Sequence, residues 1–136
     1  MADNLPDKIN LEVVTPERQM FCGEVDAVSI PGKEGYLGIL PGHAPLLSEL
    51  KTGVISYRVE GEERRIFCGW GFAEILPAEV SILAEKAALP DEIDVAEAKE
   101  DREKADTLLK TKAVDHRDAL ALWESAEARL QTVETD

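Results

Sequence analysis

The chain has 136 residues, enough for one ordinary domain or for a small domain with an appendage. Its 28 acidic and 15 basic residues give a formal net charge of -13. Because phosphate contacts need clustered Lys and Arg, we expect no nucleic-acid partner, and anionic lipid should repel the chain. No run of about 18 apolar residues is present, and the polar start at Met1 is unlike a signal peptide, so we expect no direct insertion into a membrane.

The chain before Leu89 has the patterns of β-strands. Apolar and polar residues alternate over Ile9–Val13 and over Ile55–Val59, the period of two that strands with one buried face show. The segments Glu60–Glu62 and Pro77–Glu79 predict hairpin turns between the later strands. Several short strands at this spacing predict a β-sandwich or a flattened barrel.

The segment Gly35–Leu50 carries the most specific pattern, G-Y-L-G-I-L-P-G-H-A-P-L-L-S-E-L. Its glycines and prolines interrupt short apolar runs, which predicts a rigid, buried crossover between two strands. Gly38 splits one of these runs and predicts a β-bulge or a close backbone approach. We expect the leucines and the isoleucine of the crossover to reach the core: Leu37, Ile39, Leu40, Leu46 and Leu47.

Two cysteines and two neighbouring aromatic residues lie in strand-like contexts. Cys22 and Cys68 lack the spacing of a metal knuckle or a redox pair, so we expect buried, reduced thiols. Trp70 and Phe72 are two residues apart and therefore share one face of a regular strand. A place in the core is the favoured interpretation for both, with an anchor at a protein interface as the alternative.

After Pro90 the composition changes to Ala, Glu, Asp, Lys and Leu, which favours helices. Asp94 is predicted to cap the first helix, with Glu97 as the partner that reaches back to it. Two apolar stripes at helical spacing predict an antiparallel helical hairpin, connected within Thr111–Asp115. The first stripe comprises Ala98, Ala105, Leu108 and Leu109, and the second comprises Ala119, Trp123, Ala126, Leu130 and Val133.

His43 is the residue that most suggests catalysis, since histidine serves as a general base and as a metal ligand. No second His, Cys or carboxylate with ligand-like spacing lies near it in the sequence. A histidine that is hydrogen-bonded within a tight loop is therefore the favoured interpretation. The chain also has no G-x-S-x-G motif and no phosphate-binding glycine loop, so we expect no catalytic residue and no metal site.

The Gly35–Leu50 segment resembles the signature G-x-L-G-I-L-P-G-H-A-P-L-L of the epsilon subunit of F-type ATP synthase, which is called delta in mitochondria. Gly71–Ile75 and Val80–Ala84 resemble the last β-hairpin of that family, although Gly69-Trp70-Gly71 stands where Gly-Gly-Phe is usual. The resemblance implies an α+β fold. Residues 1–88 would form a ten-stranded sandwich of two sheets, and residues 89–136 an antiparallel hairpin of two helices.

The resemblance also implies a noncatalytic role in the rotating central stalk of a proton-translocating synthase. The sandwich would bind the gamma subunit and stand on the c-ring, coupling ion flow to ATP synthesis. Lys33, Glu34 and Tyr36 would lie in the loop that contacts the ring, and His43 would belong to the same interface region. The implied location is peripheral, on the cytoplasmic face of the cell inner membrane.

In such proteins the hairpin can extend along gamma toward the alpha and beta subunits and inhibit ATP hydrolysis. Residues 91–136 carry 14 acidic and 7 basic residues here, so repulsion from acidic partner surfaces should weaken inhibition. Some relatives bind ATP through the motif Ile-Asp-x-x-Arg-Ala, which Ile93, Asp94 and Ala98 match. Glu97 replaces the arginine and reverses its charge, so we expect weak or absent ATP binding and no cofactor.

Two other classes of function remain as hypotheses. One is a small hydrolase or isomerase built on a barrel, with His43 at its mouth and a second titratable group beside it. The other is a free-standing adaptor whose alanine-rich hairpin recruits a helical partner.

Overall fold

The computed structural model describes residues 5–111 and 116–134. Ten strands are followed by a 3₁₀ turn, Pro90–Glu92, and by two helices, α1 (Val95–Leu109) and α2 (His116–Val133). The strands are β1 (Ile9–Val14), β2 (Gln19–Val25), β3 (Ala27–Gly32), β4 (Gly35–Ile39), β5 (Leu46–Leu50), β6 (Gly53–Val59), β7 (Glu62–Cys68), β8 (Gly71–Ile75), β9 (Glu79–Ala84) and β10 (Ala87–Ala88). The predicted α+β fold class is confirmed.

The strands form one hydrogen-bonded sheet in the order β10-β7-β6-β3-β5-β8-β9-β1-β2, with β4 paired to β3. Only the pair Gly32–Leu50 joins β3 to β5, so this point divides the sheet into two layers. The layers lie face to face, since the rings of Phe21 on β2 and Tyr57 on β6 have centroids 4.5 Å apart. All strand pairs are antiparallel except β1 with β9.

The core lies between the layers and takes alternate residues from their strands. Buried and exposed positions alternate along β1, β8 and β9, as the period of two predicts. The largest fully buried side chains are Ile9, Leu11, Ile30, Ile39, Leu50, Ile55, Ile66, Ile75 and Ile82. Burial of these β-branched and leucine side chains supplies the main driving force for forming the sandwich.

The predicted hairpin turns are present, with small shifts at their ends. The β6–β7 turn consists of Glu60 (φ 51°) and Gly61 (φ 81°), the left-handed conformation that short hairpin turns need. Glu62 and Glu79, which were expected in the turns, are instead the first residues of β7 and β9.

The crossover Gly35–Leu50 is less buried than expected. Ile39 is buried and Leu37 packs against the core, but Leu40, Leu46 and Leu47 are exposed. Leu47 points outward because it shares the parity of Glu49 on β5, and Leu40 lies in the loop after β4. The bulge expected at Gly38 is also wrong. Gly38 pairs regularly with Ser29, and a Cβ there would meet nothing within 4 Å.

Three other expectations about burial are wrong. Cys22 is exposed because it lies opposite Glu12 on the outer face of the β1–β2 pair, whereas Cys68 is buried as expected. Trp70 and Phe72 are exposed, not in the core. Ala73 and Ile75 take the buried parity of β8, which leaves Phe72 on its outer face.

The two helices pack against each other along the predicted stripes. Asp94 is the N-cap of α1, and its Oδ1 accepts a hydrogen bond from the backbone N–H of Glu97 at 3.0 Å. Four small side chains of the stripes are buried in the seam: Ala98, Ala105, Ala119 and Ala126. Most of the predicted connection between the helices, 112–115, lies outside the described residues.

α2 also packs on the outer face of the β6–β7 pair. Val54 and Phe67 on that face form a small buried cluster with Ala128 of α2, with Ile93 packed beside it. Ala128 and Thr132 are not on the predicted stripe, so α2 has a second buried side that faces the sandwich. The hairpin therefore covers part of the outer face of one layer of the sandwich.

Candidate interaction surfaces

The turn between β3 and β4 forms a projecting loop at one end of the sandwich. The pair Gly32–Gly35 closes it, and Lys33 and Glu34 form its exposed tip. The backbone N–H of Lys33 donates to the carbonyl oxygen of Glu49 at 2.9 Å, and its Nζ lies 3.8 Å from Glu49 Oε2. Backbone pairing on both sides therefore fixes the loop, while its charged side chains remain accessible.

Tyr36 braces this loop against β6. Its hydroxyl accepts a hydrogen bond from the backbone N–H of Val54 at 3.0 Å. A Cβ at Gly53 would lie 2.6 Å from Pro31 Cβ and 2.8 Å from the Tyr36 hydroxyl, so only glycine fits beneath the ring. The structure thus brings Tyr36 together with Lys33 and Glu34 at one end of the fold.

His43 lies in the loop between β4 and β5, apart from that turn in sequence. Its Nδ1 lies 2.6 Å from the carbonyl oxygen of Ala44, and its backbone N–H donates to the carbonyl of Leu40 at 3.2 Å. The neighbouring Gly42 (φ 88°) donates to the carbonyl of Pro77 at 2.8 Å, which ties this loop to the β8–β9 turn. The contact between the His43 ring and the Ala44 carbonyl fits a histidine that is hydrogen-bonded within its own loop.

An apolar surface covers part of the outer face of the other layer. We call it the aromatic face, formed by Leu47, Trp70, Phe72 and Leu83. Phe72 pairs with Leu83 across β8 and β9, and the rings of Trp70 and Phe72 meet edge to face with centroids 5.0 Å apart. Trp70 remains 46% exposed, Phe72 41% and Leu47 71%. Exposed aromatic and leucine side chains gathered on one face are typical of a protein interface.

Two carboxylates lie beside the aromatic face, and Glu74 of β8 is directly opposite Leu47. Glu49 lies directly opposite Phe72, and its Oε2 accepts a hydrogen bond from Trp70 Nε1 at 3.3 Å. This bond orients the indole so that its apolar edge stays accessible. Strand parity was the signal for this face, because the alternation of Ala73 and Ile75 already assigns Phe72 to the outside.

The residues of the possible ATP motif lie where the sandwich meets the hairpin. Ile93 packs beside Val54 and Phe67, and Ala98 is buried between the helices. Asp94 caps α1 and so uses its carboxylate on backbone. The carboxylate of Glu97 does not complete the expected reciprocal cap but lies 3.6 Å from Arg129 Nη1.

Ion pairs join the two helices. Arg129 Nη2 donates to Asp101 at 2.9 Å, and Arg102 Nη1 donates to Glu127 at 3.1 Å. The Arg129 side chain is mostly buried, so its pairing matters more than that of an exposed arginine. The guanidinium groups of Arg102 and Arg129 are therefore both held by carboxylates of the opposite helix.

A further ion pair fixes the junction before α1. Arg18 Nη2 donates to Glu92 Oε1 at 2.6 Å, and the same oxygen accepts the backbone N–H of Leu89 at 2.8 Å. The hydrogen bond from Arg18, followed by that from Leu89, lowers the pKa of Glu92 below its usual value. The turn after β1 is thus tied to the point where the chain leaves the sandwich.

The described residues, 5–111 and 116–134, hold no group of three or more His, Cys, Asp or Glu side chains placed to bind a metal. In the same part of the chain neither helix is long and apolar enough to cross a membrane.

Comparisons with known proteins agree with this architecture. The family model for the β-sandwich domain of the ATP synthase delta/epsilon chain matches residues 8–90. The ATP synthase epsilon chain of Solibacter usitatus is 43% identical over 132 residues, which cover 96% of this chain and 98% of the relative. That of Koribacter versatilis is 50% identical over 107 residues, covering 79% of this chain and 75% of the relative.

Solved structures share the fold. A chain in the Euglena gracilis mitochondrial ATP synthase aligns with a TM-score of 0.80 at 24% identity, covering 92% of this chain and 81% of that one. A chain in the central stalk and c-ring of the Tetrahymena thermophila mitochondrial ATP synthase aligns with a TM-score of 0.52 at 15% identity, covering 93% of each.

A β-sandwich with an exposed apolar face and a docked helical hairpin is typical of a protein that binds a partner through that face. An ATP synthase epsilon chain that is 43% identical over almost the whole chain identifies the family. The chain belongs to the ATP synthase epsilon-chain family, whose members are noncatalytic subunits of the rotary complex. The hypotheses of a barrel enzyme using His43 and of a free-standing adaptor are accordingly not favoured.

Proposed function

We propose that this subunit turns with the central stalk, bound to the gamma subunit through the aromatic face and to the c-ring through the β3–β4 turn. The observation that carries the proposal is the aromatic face, because four large apolar side chains stay accessible on one layer while the hairpin packs on the other. The solved structures of similar fold, which contain F1 and a c-ring or a central stalk and a c-ring, support this arrangement.

Gamma is the expected partner of the aromatic face. Trp at the centre of a patch is among the residues that contribute most to binding, and Phe is also enriched at protein interfaces. The experiment is calorimetric titration of the whole subunit with the gamma subunit of the same synthase. Retained gamma binding by a Trp70→Ala, Phe72→Ala double variant, at parental affinity, would remove the aromatic face from the proposal.

The β3–β4 turn is the expected contact with the c-ring. Its tip presents Lys33 and Glu34 on a backbone braced through Tyr36. A cysteine at Lys33, in a Cys22→Ser background, should crosslink to a cysteine in the polar loop of the ring subunit. A cysteine at Glu60, in the β6–β7 turn, is the matched control and should not. Equal crosslinking from both positions would contradict the orientation.

The hairpin should bind ATP poorly and inhibit hydrolysis weakly. Glu97 stands where the motif has arginine, and Arg102 and Arg129 are already paired with carboxylates. The same excess of acid should oppose docking on alpha and beta. Removing residues 91–136 should therefore activate hydrolysis by the catalytic complex only slightly.

Calorimetric titration with ATP tests the first part of this expectation, and Glu97→Arg should raise ATP affinity. Micromolar binding by the parent chain would mean that other residues replace the missing arginine. Strong activation of hydrolysis on truncation would mean that the hairpin docks in spite of its charge.

The sandwich, residues 1–88, should be the stable and gamma-binding unit, with residues 89–136 as the regulatory hairpin. It contains the main core cluster, and β10 ends at Ala88, paired with Phe67. A chain ending at Leu89 should keep its β-sheet circular dichroism and bind gamma.

We place the subunit on the cytoplasmic face of the inner membrane as a peripheral component. Fractionation of host membranes before and after F1 is stripped would test this location.

A further inference from the structure

The hairpin touches the sandwich over a small area at the carboxyl end of α2. On the helix side the buried residues are Ala128 and Thr132, which are small. On the strand side they are Val54 and Phe67. Small side chains on one side limit the apolar area that docking removes from water. The polar contacts beside this cluster therefore carry much of the preference for the docked position.

Among the residues that the structure describes, one side chain of the sandwich provides those contacts. Arg65 of β7 donates from Nη1 to the carbonyl oxygens of Gln131 at 3.0 Å and Glu134 at 2.7 Å. The last carbonyls of a helix lack intrahelical partners and carry the negative end of its dipole, so a guanidinium is well suited to cap them. Arg65 is the residue of the sandwich that closes the carboxyl end of α2.

The same guanidinium has an anionic partner on its own strand. Its Nε and Nη2 donate to Glu63 Oε2 at 3.0 Å and 2.9 Å. These two bonds to one carboxylate oxygen orient the guanidinium so that Nη1 points at the helix. Because both partners lie on β7, we expect the pair to persist when α2 leaves, so that release of the helix leaves no unpaired charge on the sandwich.

We propose that Arg65 is the latch that holds the hairpin on the sandwich, with Glu63 as its positioning residue. Arg65 sets the fraction of molecules in which α2 is docked, independently of nucleotide. When α2 leaves, the outer face of β6–β7 exposes Val54 and Phe67 beside the Arg65–Glu63 pair. The consequence for regulation rests on the proposed function, whereas the latch is a property of the isolated chain.

Hydrogen exchange of the whole chain, followed by mass spectrometry, measures the latch directly. Where closing is faster than exchange, the exchange rate reports the population in which the carboxyl end of α2 is released and frayed. Arg65→Gln should raise the rate in peptides spanning 126–134 by roughly tenfold, since it removes charge-assisted hydrogen bonds to two carbonyls. Peptides spanning 53–68 should keep their protection, because their amides are paired between β6 and β7. Peptides spanning 71–84, in the other layer, should be unaffected.

Arg64→Gln is the matched control, because the Arg64 guanidinium pairs with Glu62 on its own strand. It should leave the exchange of α2 at the parental rate. Unchanged exchange in Arg65→Gln, or an equal increase in both variants, would overturn the proposal. If Arg65→Gln lost protection throughout the sandwich, Arg65→Lys would decide. It keeps the charge beside Glu63 without bridging two carbonyls, and should raise exchange in α2 by about threefold.

Gamma binding separates this proposal from the proposed function. If Arg65→Gln raises the exchange rate of α2 tenfold but the parent chain does not bind gamma, the stalk role is refuted and the latch stands. If the parent chain binds gamma but Arg65→Gln leaves the exchange rate of α2 unchanged, the latch is refuted and the stalk role stands.

Discussion

Truncation of Phe72 should weaken the complex with gamma while leaving the fold intact. The side chain lies on the outer face of β8 and is 41% exposed, outside the core cluster. An aromatic side chain presents about 200 Å² in all, so about 80 Å² of Phe72 remains for a partner to bury. At about 25 cal/mol per Å², this area contributes about 2 kcal/mol, or about thirtyfold in Kd.

Titration calorimetry of gamma with Phe72→Ala measures this loss, and thermal unfolding of the free variant monitors the fold. Leu120→Ala is the matched control, because Leu120 is a similarly exposed apolar side chain that lies on α2. It should leave the Kd for gamma unchanged. A Kd for Phe72→Ala within twofold of the parent, in a variant that is folded, would refute the assignment of gamma to the aromatic face.

Three further predictions concern individual groups. Burial raises the pKa of the Cys68 thiol to about 12, so a thiol reagent at about pH 8 should label Cys22 alone in the folded chain and both cysteines in denaturant, as counted by mass spectrometry. Because Arg18 lowers the pKa of Glu92, their pairing stabilises the fold above about pH 4.5 and is lost as the pH falls. The midpoint of an NMR titration of Glu92 should therefore rise in Arg18→Gln. His43→Ala should lower the free energy of unfolding by about 0.5–1 kcal/mol, seen as a lower Tm, without changing turnover once the enzyme is assembled. Lost turnover at unchanged stability would instead assign His43 a role in proton handling.

The strands and helices could be predicted from the sequence, but the contacts on the outer faces of the sandwich could not. Period-two alternation identified the strands, and Asp94 identified the start of α1, because both signals are local. The exposure of Leu47 and Phe72 was missed because apolar side chains were assigned to the core of an isolated chain. Ile75 is buried and lies an odd number of residues from Phe72, so strand alternation places Phe72 on the exposed face.

The docking of the hairpin was beyond local reasoning. The predicted stripe of α2 describes the side that faces α1, whereas Thr132 belongs to the side that faces the sandwich. The contact of Arg65 with the carbonyl of Gln131 joins positions 66 residues apart. Such a contact depends on where α2 comes to rest, which no spacing in either segment encodes.

The parallel pairing of β1 with β9 determines when the sheet can form during synthesis on the ribosome. Leu11 lies beside Val80, so the amino-terminal strand waits for almost 70 further residues before its inner neighbour exists. At the usual rates of translation that wait is roughly 4–14 s. During it the β1–β2 hairpin presents an open strand edge that other nascent chains could pair with. Slower translation before β9 would lengthen this wait, whereas a chaperone bound to the hairpin would shield the open edge until β9 is available.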